Sequence, residues 1–224
     1  GGISMTRVMI AIPCLAKIDT AFVQSLINLD KTGMEVAVQF CEGSLVYDAR
    51  NILANIAIKA GFDRVLWVDS DMILERDTLK RLNARMDEDR DFVAALAFRR
   101  RPPHIPVIYS QIAMMEDAEG RRVPSITAYE DYPENEVFDV AGSGFGCVMT
   151  SVELLRKVRD KYGLPFSPRV GFGEDISFCM MAHEVGATLW CDSSVKVKHI
   201  GTILIDEEMY KETKNAIQRN NSGT

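Results

Sequence analysis

Four apolar runs in the first half of the chain, VMIAIPC, MEVAVQFC, RVLWV and FVAALAF, alternate with three stretches of helical periodicity. Extended segments that are apolar on both faces need cover on both sides, and intervening helices supply it. The pattern therefore predicts an α/β domain with a mostly parallel, Rossmann-like central sheet flanked by helices. Strands are expected within residues 7–16, 34–43, 63–69 and 91–98, the first running out at Pro13. Helices are expected over 19–33, 48–61 and 76–86. Phe22, Leu26 and Leu29 share one face of the first helix, with Asp19 or Thr20 as its N-cap and Gly33 past its end. In the second helix Ile52, Ile56 and Lys59 recur at helical spacing, Arg50 and Asn51 fall in the first turn, and Gly61 suits the C-terminal cap.

Beyond Phe98 the pattern changes. Residues 99–136 hold five of the eight prolines and much charge. PVIYSQI and RVPSITAY read as extended strands or a hairpin around EDAEG, a smaller antiparallel portion beside the main sheet. VFDVAGSGFGCVMT reads as one strand broken by glycines. SVELLRKVRDKYG is a helix capped by Ser151, EDISFCMMAHEVG a further helix, and ATLWCD and VKVKHIG short strands. A polar helix is expected over 206–220, with a frayed tail after it. The chain is expected to form one domain over 5–220, and GGIS (1–4) reads as an expression scar.

The 224 residues carry a net charge of -6 and a pI of about 5.2, which argues against nucleic acid as the partner. An acidic chain that binds an anion needs a cation at the site. The five cysteines are odd in number and include no Cys-x-x-Cys pair, so reduced thiols and a cytoplasmic location are expected. No stretch has the length of a membrane span, and the first apolar run is too short and too soon closed by charge for a signal peptide.

Chemistry concentrates in five places. VLWVDSDMIL (65–74) ends a strand with Asp69 and Asp71, and in open α/β sheets ligands bind beyond the carboxyl ends of strands. Residues two apart on an extended chain point the same way, so both carboxylates can face one Mg2+ or Mn2+ while Ser70 points away. A turn in which either aspartate caps the next helix is the alternative. Arg50 and Asn51 sit at a helix start, where the dipole favours anions, so Arg50 is placed to bind phosphate or ribose oxygens. An Arg50–Asp48 ion pair is the other reading. In VGFGEDISF, Glu174 and Asp175 suit a helix N-terminus, and Asp175 equally suits a general base under a loop that Gly171 and Gly173 let bend. In VKVKHIG, Val195, Val197 and His199 share parity, so His199 points inward, as a core residue or as a ligand completing an Asp/His set. In AGSGFGCVMT, Gly142, Ser143, Gly144 and Gly146 bare a strand end, for close approach of a substrate or for a tight bend.

The order of these pieces resembles the metal-dependent glycosyltransferases of the GT-A fold, especially the family 2-like group, from Arg7 to about Gly201. MIAIPCLA, DARN before VLWVDSDM, AGSGFGCVMT before a helix, and GEDISF followed by KHIG carry the resemblance. DARN before LWVDSDM is also similar to the Golgi mannosyltransferases of fungi, a likeness that keeps a retaining outcome open beside the inverting one. The resemblance implies a nucleotide-binding half over about 5–98 and an acceptor-binding half over about 99–205. It implies Pro13 beside the nucleobase and Glu42 near base or ribose, with Arg50, Asn51, Asp69 and Ser70 on the nucleotide. Asp69, Asp71 and His199 would hold Mn2+ or Mg2+, Asp175 would be the base of an inverting reaction, and Glu174 would hold a sugar. The donor implied is a nucleotide-diphosphate sugar (UDP or GDP sugar), and the acceptor a glycan, lipid or protein. CEGSLVYD stands where family 2 members often carry an Asp-Asp pair near DGSxD, and no Gln-x-x-Arg-Trp signature of processive synthases is present. The Arg99–Arg101 loop has no family match and reads as an acceptor-side lid or a solvated basic loop. A sugar nucleotidyltransferase and a non-catalytic nucleotide-sugar-binding module are the rival readings. The first lacks its Gly-rich phosphate loop in IPCLAKIDT, and the second is expected to have lost part of the Asp69, Asp71, Asp175 and His199 set.

Overall fold

The computed structural model describes residues 5–43, 45–201 and 207. The expected scar, C-terminal helix and tail lie outside the described residues, Glu207 excepted. Strand β1 (Thr6–Cys14) is buried through Val8–Ile12 and lies inside the sheet. Helix α1 (Thr20–Ile27) starts at Asp19, whose Oδ1 accepts from the Ala21 amide at 2.8 Å, and Phe22 and Leu26 face the core. Strand β2 (Met34–Glu42) pairs parallel with β1 and forms the sheet edge, so it is largely exposed despite its apolar sequence.

Helix α2 (Val46–Ala60) begins earlier than its periodicity suggested, which puts Arg50 and Asn51 one turn inside it. Its buried face is Ala49, Arg50, Leu53, Ala54 and Ala57, whereas Ile52 is exposed. The alanines let the helix lie close on the sheet, and that proximity outweighs the larger isoleucines as a choice of face. Gly61 caps it in the left-handed region, with φ of 69°.

The remaining elements follow in order: β3 (Arg64–Val68), β4 (Met72–Ile73), α3 (Thr78–Met86) and β5 (Phe92–Leu96), then a hairpin of β6 (Ile108–Glu116) and β7 (Arg122–Ala128). After β8 (Val137–Asp139), β9 (Gly142–Ser143) and β10 (Cys147–Ser151) come α4 (Val152–Tyr162), α5 (Glu174–Glu184), β11 (Trp190–Lys196) and β12 (Lys198–His199). The central sheet has the order β2-β1-β3-β10-β5-β11-β8. β10 and β8 run against the other five strands, so the sheet is mostly parallel. Side chains from α2, α4 and α5 cover one face, and α1 and α3 cover the other. A small antiparallel sheet, β7-β6-β9, stands beside it.

The glycine-broken run expected as one strand is three strands in two sheets, because each part pairs with a different neighbour: β8 with β11, β9 with β6, and β10 with β3 and β5. A Cβ on Gly142 would lie 2.5 Å from Ile112 Cδ1 and 3.2 Å from Cys179 Cβ, so only glycine lets β9 fit between β6 and α5. β10 then returns between β3 and β5, which makes the two halves of the sequence share one sheet. After a register shift in β11, β12 crosses to pair with β4, bringing His199 opposite Met72.

Candidate active site

The backbone turns immediately after β3. The Asp69 amide donates to the Gly146 carbonyl at 3.1 Å, and the Met72 amide donates back to the Asp69 carbonyl at 3.2 Å. Shared parity holds only on an extended chain, so the turn separates the two carboxylates. Asp69 goes to Arg50 and Asp71 to His199. Neither caps a helix, since α3 starts only at Thr78.

Arg50 is the hub. Its side chain is 2% exposed; Nη2 donates to Asp69 Oδ1 at 2.7 Å and Nε to Glu174 Oε1 at 3.2 Å. Its guanidinium lies over the Phe145 ring at 5.2 Å and the Phe166 ring at 6.0 Å. Two carboxylates and two ring faces compensate a cation that burial would otherwise penalise. Its Nη1 is buried and has no acceptor among the described residues. Asp48 takes no part in these contacts. Asn51 is not brought to the Asp69 pocket. Its Nδ2 donates to the Phe166 carbonyl at 2.8 Å and its Oδ1 accepts from the Phe166 amide at 2.9 Å, fixing the ring beside Arg50.

Asp71 Oδ2 lies 3.1 Å from His199 Nε2 and 3.1 Å from Arg100 Nη1. His199 Nδ1 sits 2.9 Å from the Phe98 carbonyl. A carbonyl only accepts, so Nδ1 carries a proton. In the neutral ring Nε2 then points a lone pair at a carboxylate oxygen, and a cation or a proton between them relieves the repulsion. A metal-ligating imidazole commonly has its other nitrogen anchored in this way. Among the described residues no three His, Cys, Asp or Glu side chains form a ready metal cage. Two ligands aimed at one point nonetheless fit an ion such as Mg2+ that keeps positions open for water and phosphate.

A cavity of about 330 Å3 beside this point is lined by Pro13, Cys14, Leu15, Gly43, Val46 and the Asp69–Asp71 turn. Pro13, Asp69, Ser70 and Asp71 are thus brought together. Glu42 is exposed and flanks the cavity through its register with Cys14. Burial pushes the Asp69 carboxyl up, Arg50 opposes the rise, and Asp71 adds to it. A larger cavity of about 1010 Å3, between α1 and the Ile73–Arg76 segment, holds none of these residues.

On the other side, Gly173 is the N-cap of α5, and Glu174 and Asp175 open the helix. Asp175 Oδ1 accepts from the Ile176 amide at 2.7 Å. Burial, then Glu174, pushes its carboxyl up to about 6, against that hydrogen bond and Arg50. A carboxyl with that value switches form close to neutral pH, as a general base requires. A Cβ on Gly173 would come 3.0 Å from Asp175 Oδ1, and one on Gly144 3.8 Å from Oδ2, so both glycines leave room around the carboxyl. The Tyr109 hydroxyl is raised by burial and by Asp175, with Arg99 acting the other way. Sequence reasoning missed Phe145, Phe166 and Tyr109: AGSGFGCVMT was singled out for its glycines and not for the ring among them, and the segments of Phe166 and Tyr109 gave no sign of a site. The run of three arginines was visible, but not that Arg100 would reach Asp71.

No protein-family model matches this chain, and no curated protein matches it in sequence. Among solved structures it is similar to A197 from STIV, with a TM-score of 0.61 and 18% identity over 91% of this chain and 87% of that one. It is also similar to GalNAc-T7 with UDP, GalNAc and Mn2+, with a TM-score of 0.57 and 13% identity over 89% of this chain. The fold is of the GT-A type. Identities this low speak for the fold alone. The chain spans 44% of the GalNAc-T7 chain, so a GT-A-type core is common to both and much of the larger protein has no counterpart here.

Proposed function

We propose that this chain is a divalent-cation-dependent glycosyltransferase, moving a sugar from a nucleotide-diphosphate sugar to an acceptor hydroxyl. The observation that carries the reading is the Asp71 Oδ2–His199 Nε2 pair at 3.1 Å, with Nδ1 anchored on Phe98. Asp71 and His199 would hold Mn2+ or Mg2+, with Asp69 adjoining, and the ion would neutralise the diphosphate leaving group as a Lewis acid. The nucleoside would enter the cavity of Pro13, Ser70 and the Asp69–Asp71 turn, with Glu42 at its edge. The bound UDP and Mn2+ in the GalNAc-T7 structure, a protein of like fold, are consistent with such a donor.

Asp175 would take the proton of the attacking hydroxyl as its oxygen forms the new bond to the anomeric carbon. The bond from that carbon to the diphosphate oxygen breaks, and its electron pair stays with the nucleoside diphosphate. Attack opposite the leaving group inverts the configuration. Arg50 would not touch the nucleotide. It would hold Asp69 and Glu174 in place, joining the donor side to the acceptor side, while Asn51 supports it through Phe166.

The test is a thermal-shift panel of UDP, GDP and CDP with and without Mn2+, on wild type and Asp71→Ala. A metal-dependent shift for one nucleotide that disappears in Asp71→Ala is expected, followed by turnover of the matching sugar donor. An equal shift in the variant would overturn the metal assignment.

A further inference from the structure

The central sheet ends on one side at β2 and on the other at β8. The two edges are not alike. β8 is only the three residues Val137–Asp139, and an edge so short offers little for another strand to pair with. β7, at an edge of the small sheet, opens on Arg122 and carries Pro124 within it, and both blunt an edge. β2 has none of these protections. It runs through nine residues in unbroken register with β1, with no proline, lysine or bulge. Val38 and Phe40 stand 39% and 41% exposed on it. An edge of that length and character is a template for a further strand.

The backbone of this edge is free as well. In a parallel pair, alternate residues turn both N–H and C=O toward the neighbouring strand, and the residues between them turn both away. The Gly43 amide donates to the Cys14 carbonyl at 3.1 Å, and the Cys14 thiol reaches the Cys41 carbonyl at 3.8 Å, so the odd-numbered residues of β2 serve β1. Val36, Val38, Phe40 and Glu42 therefore present their amides and carbonyls outward. The Phe40 carbonyl accepts from Gln39 Nε2 at 3.1 Å and keeps a second lone pair. Among the described residues no other group bonds to this row. The charges of the edge are complementary end to end. Glu35 is paired with Arg7 at 3.1 Å. Glu42 closes the strand, and Lys31 precedes its other end, where the Lys31 carbonyl holds the Met34 amide at 3.2 Å. Neither the Glu42 carboxylate nor the Lys31 ammonium has an ion-pair partner among the described residues.

We propose that β2 is a dimer interface, pairing antiparallel with β2 of a second copy of this chain about a twofold axis through Val38. That register pairs the whole strand: Val38 faces Val38, Val36 faces Phe40, and Glu42 faces Met34. The outward amides and carbonyls of Val36, Val38 and Phe40 then exchange hydrogen bonds across the axis, and their side chains cover one another on one face of a continuous sheet. No like charges meet, because Glu35 faces Cys41. Glu42 comes to the Met34 end of the copy, where the unpaired Lys31 stands. The pairing does not depend on the transferase reading, although it sets that turn of the copy beside Glu42, at the edge of the nucleoside cavity.

The experiment is sedimentation of the full chain over a concentration series. A species of twice 25.1 kDa is expected. Val38→Lys sets two ammonium groups against each other on the axis, and should raise the dimer dissociation constant about tenfold or more. Ile126→Lys, at a position 41% exposed on β7, should leave that constant unchanged. Circular dichroism of both variants separates lost pairing from lost folding. A chain that stays monomeric up to about 1 mM, or a dimer that Val38→Lys leaves intact, overturns the interface. The register is read separately. Opposed residues of a hydrogen-bonded antiparallel pair lie about 5.5 Å apart at Cα, within reach of a disulfide. Val38→Cys should therefore cross-link to its copy under mild oxidation, whereas wild type, with Cys14 and Cys41 only partly exposed, should not. A dimer in which Val38→Cys stays uncrosslinked overturns the twofold pairing.

Discussion

His199 presents Nε2 to Asp71 Oδ2 at 3.1 Å, and the Phe98 carbonyl fixes the ring's other nitrogen at 2.9 Å. Two residues 128 positions apart thus aim an imidazole and a carboxylate at one point. His199→Ala removes one of the two proposed ligands, and Mn2+ affinity measured by calorimetry without donor should fall about tenfold or more. His199→Gln should not restore it, because an amide lacks the imidazole's basic nitrogen. Wild-type affinity in either variant would leave His199 a core residue.

Arg50 pairs with two carboxylates at once. Arg50→Met leaves Asp69 and Glu174 beside each other without a cation, and should cost roughly 3–5 kcal/mol in urea unfolding. Adding Asp69→Asn and Glu174→Gln should recover most of that stability without restoring activity. A triple variant as unstable as the single would mean that ring packing, not charge, is what Arg50 supplies.

Burial, then Glu174, pushes the Asp175 carboxyl up to about 6 in the folded protein, against about 3.9 when unfolded. The folded state holds the proton more tightly, so Asp175 makes stability fall as pH rises from about 4 to about 6, by roughly 3 kcal/mol in all. Asp175→Asn should therefore raise the melting temperature at pH 7.5 and change it little at pH 4. Transfer should be lost in that variant while nucleotide binding remains. Wild-type kcat/KM should rise through pH 6 as the base loses its proton. A variant that transfers sugar at the wild-type rate would remove Asp175 from the mechanism.

Gly142→Ala would set a methyl 2.5 Å from Ile112 Cδ1 and 3.2 Å from Cys179 Cβ. Overpacking of this kind should cost about 1–3 kcal/mol by urea unfolding. Ile112→Ala in the same chain should recover part of the loss. A Gly142→Ala protein of full stability would show that β9 has more room than its contacts indicate.

Much of the fold is legible in residue order, because strand and helix periodicities are local. The Asp19 and Ser151 caps, the Gly61 terminator and the β6–β7 hairpin lie where side-chain chemistry puts them. His199 shares the inward face of Val195 and Val197, as parity predicts. The errors came where a non-local contact decided. Ile52 is exposed because alanines fit α2 closer to the sheet. β2 is exposed because nothing in its own sequence says that it lies at the edge. VFDVAGSGFGCVMT became three strands because each part found a different partner.

The sequence by itself determined the α/β alternation and the residue types able to hold a cation and accept a proton: Asp69, Asp71, Asp175 and His199. Only the tertiary structure decided where they are placed and what they touch. A turn after β3 separates carboxylates that would have pointed together, and Arg50, looking like a phosphate ligand at a helix start, is buried as the bridge between Asp69 and Glu174. Periodicity records which way a side chain leaves its own element, but pairing energy depends on what another element brings within hydrogen-bonding distance, and here those partners come from as far as 128 residues along the chain.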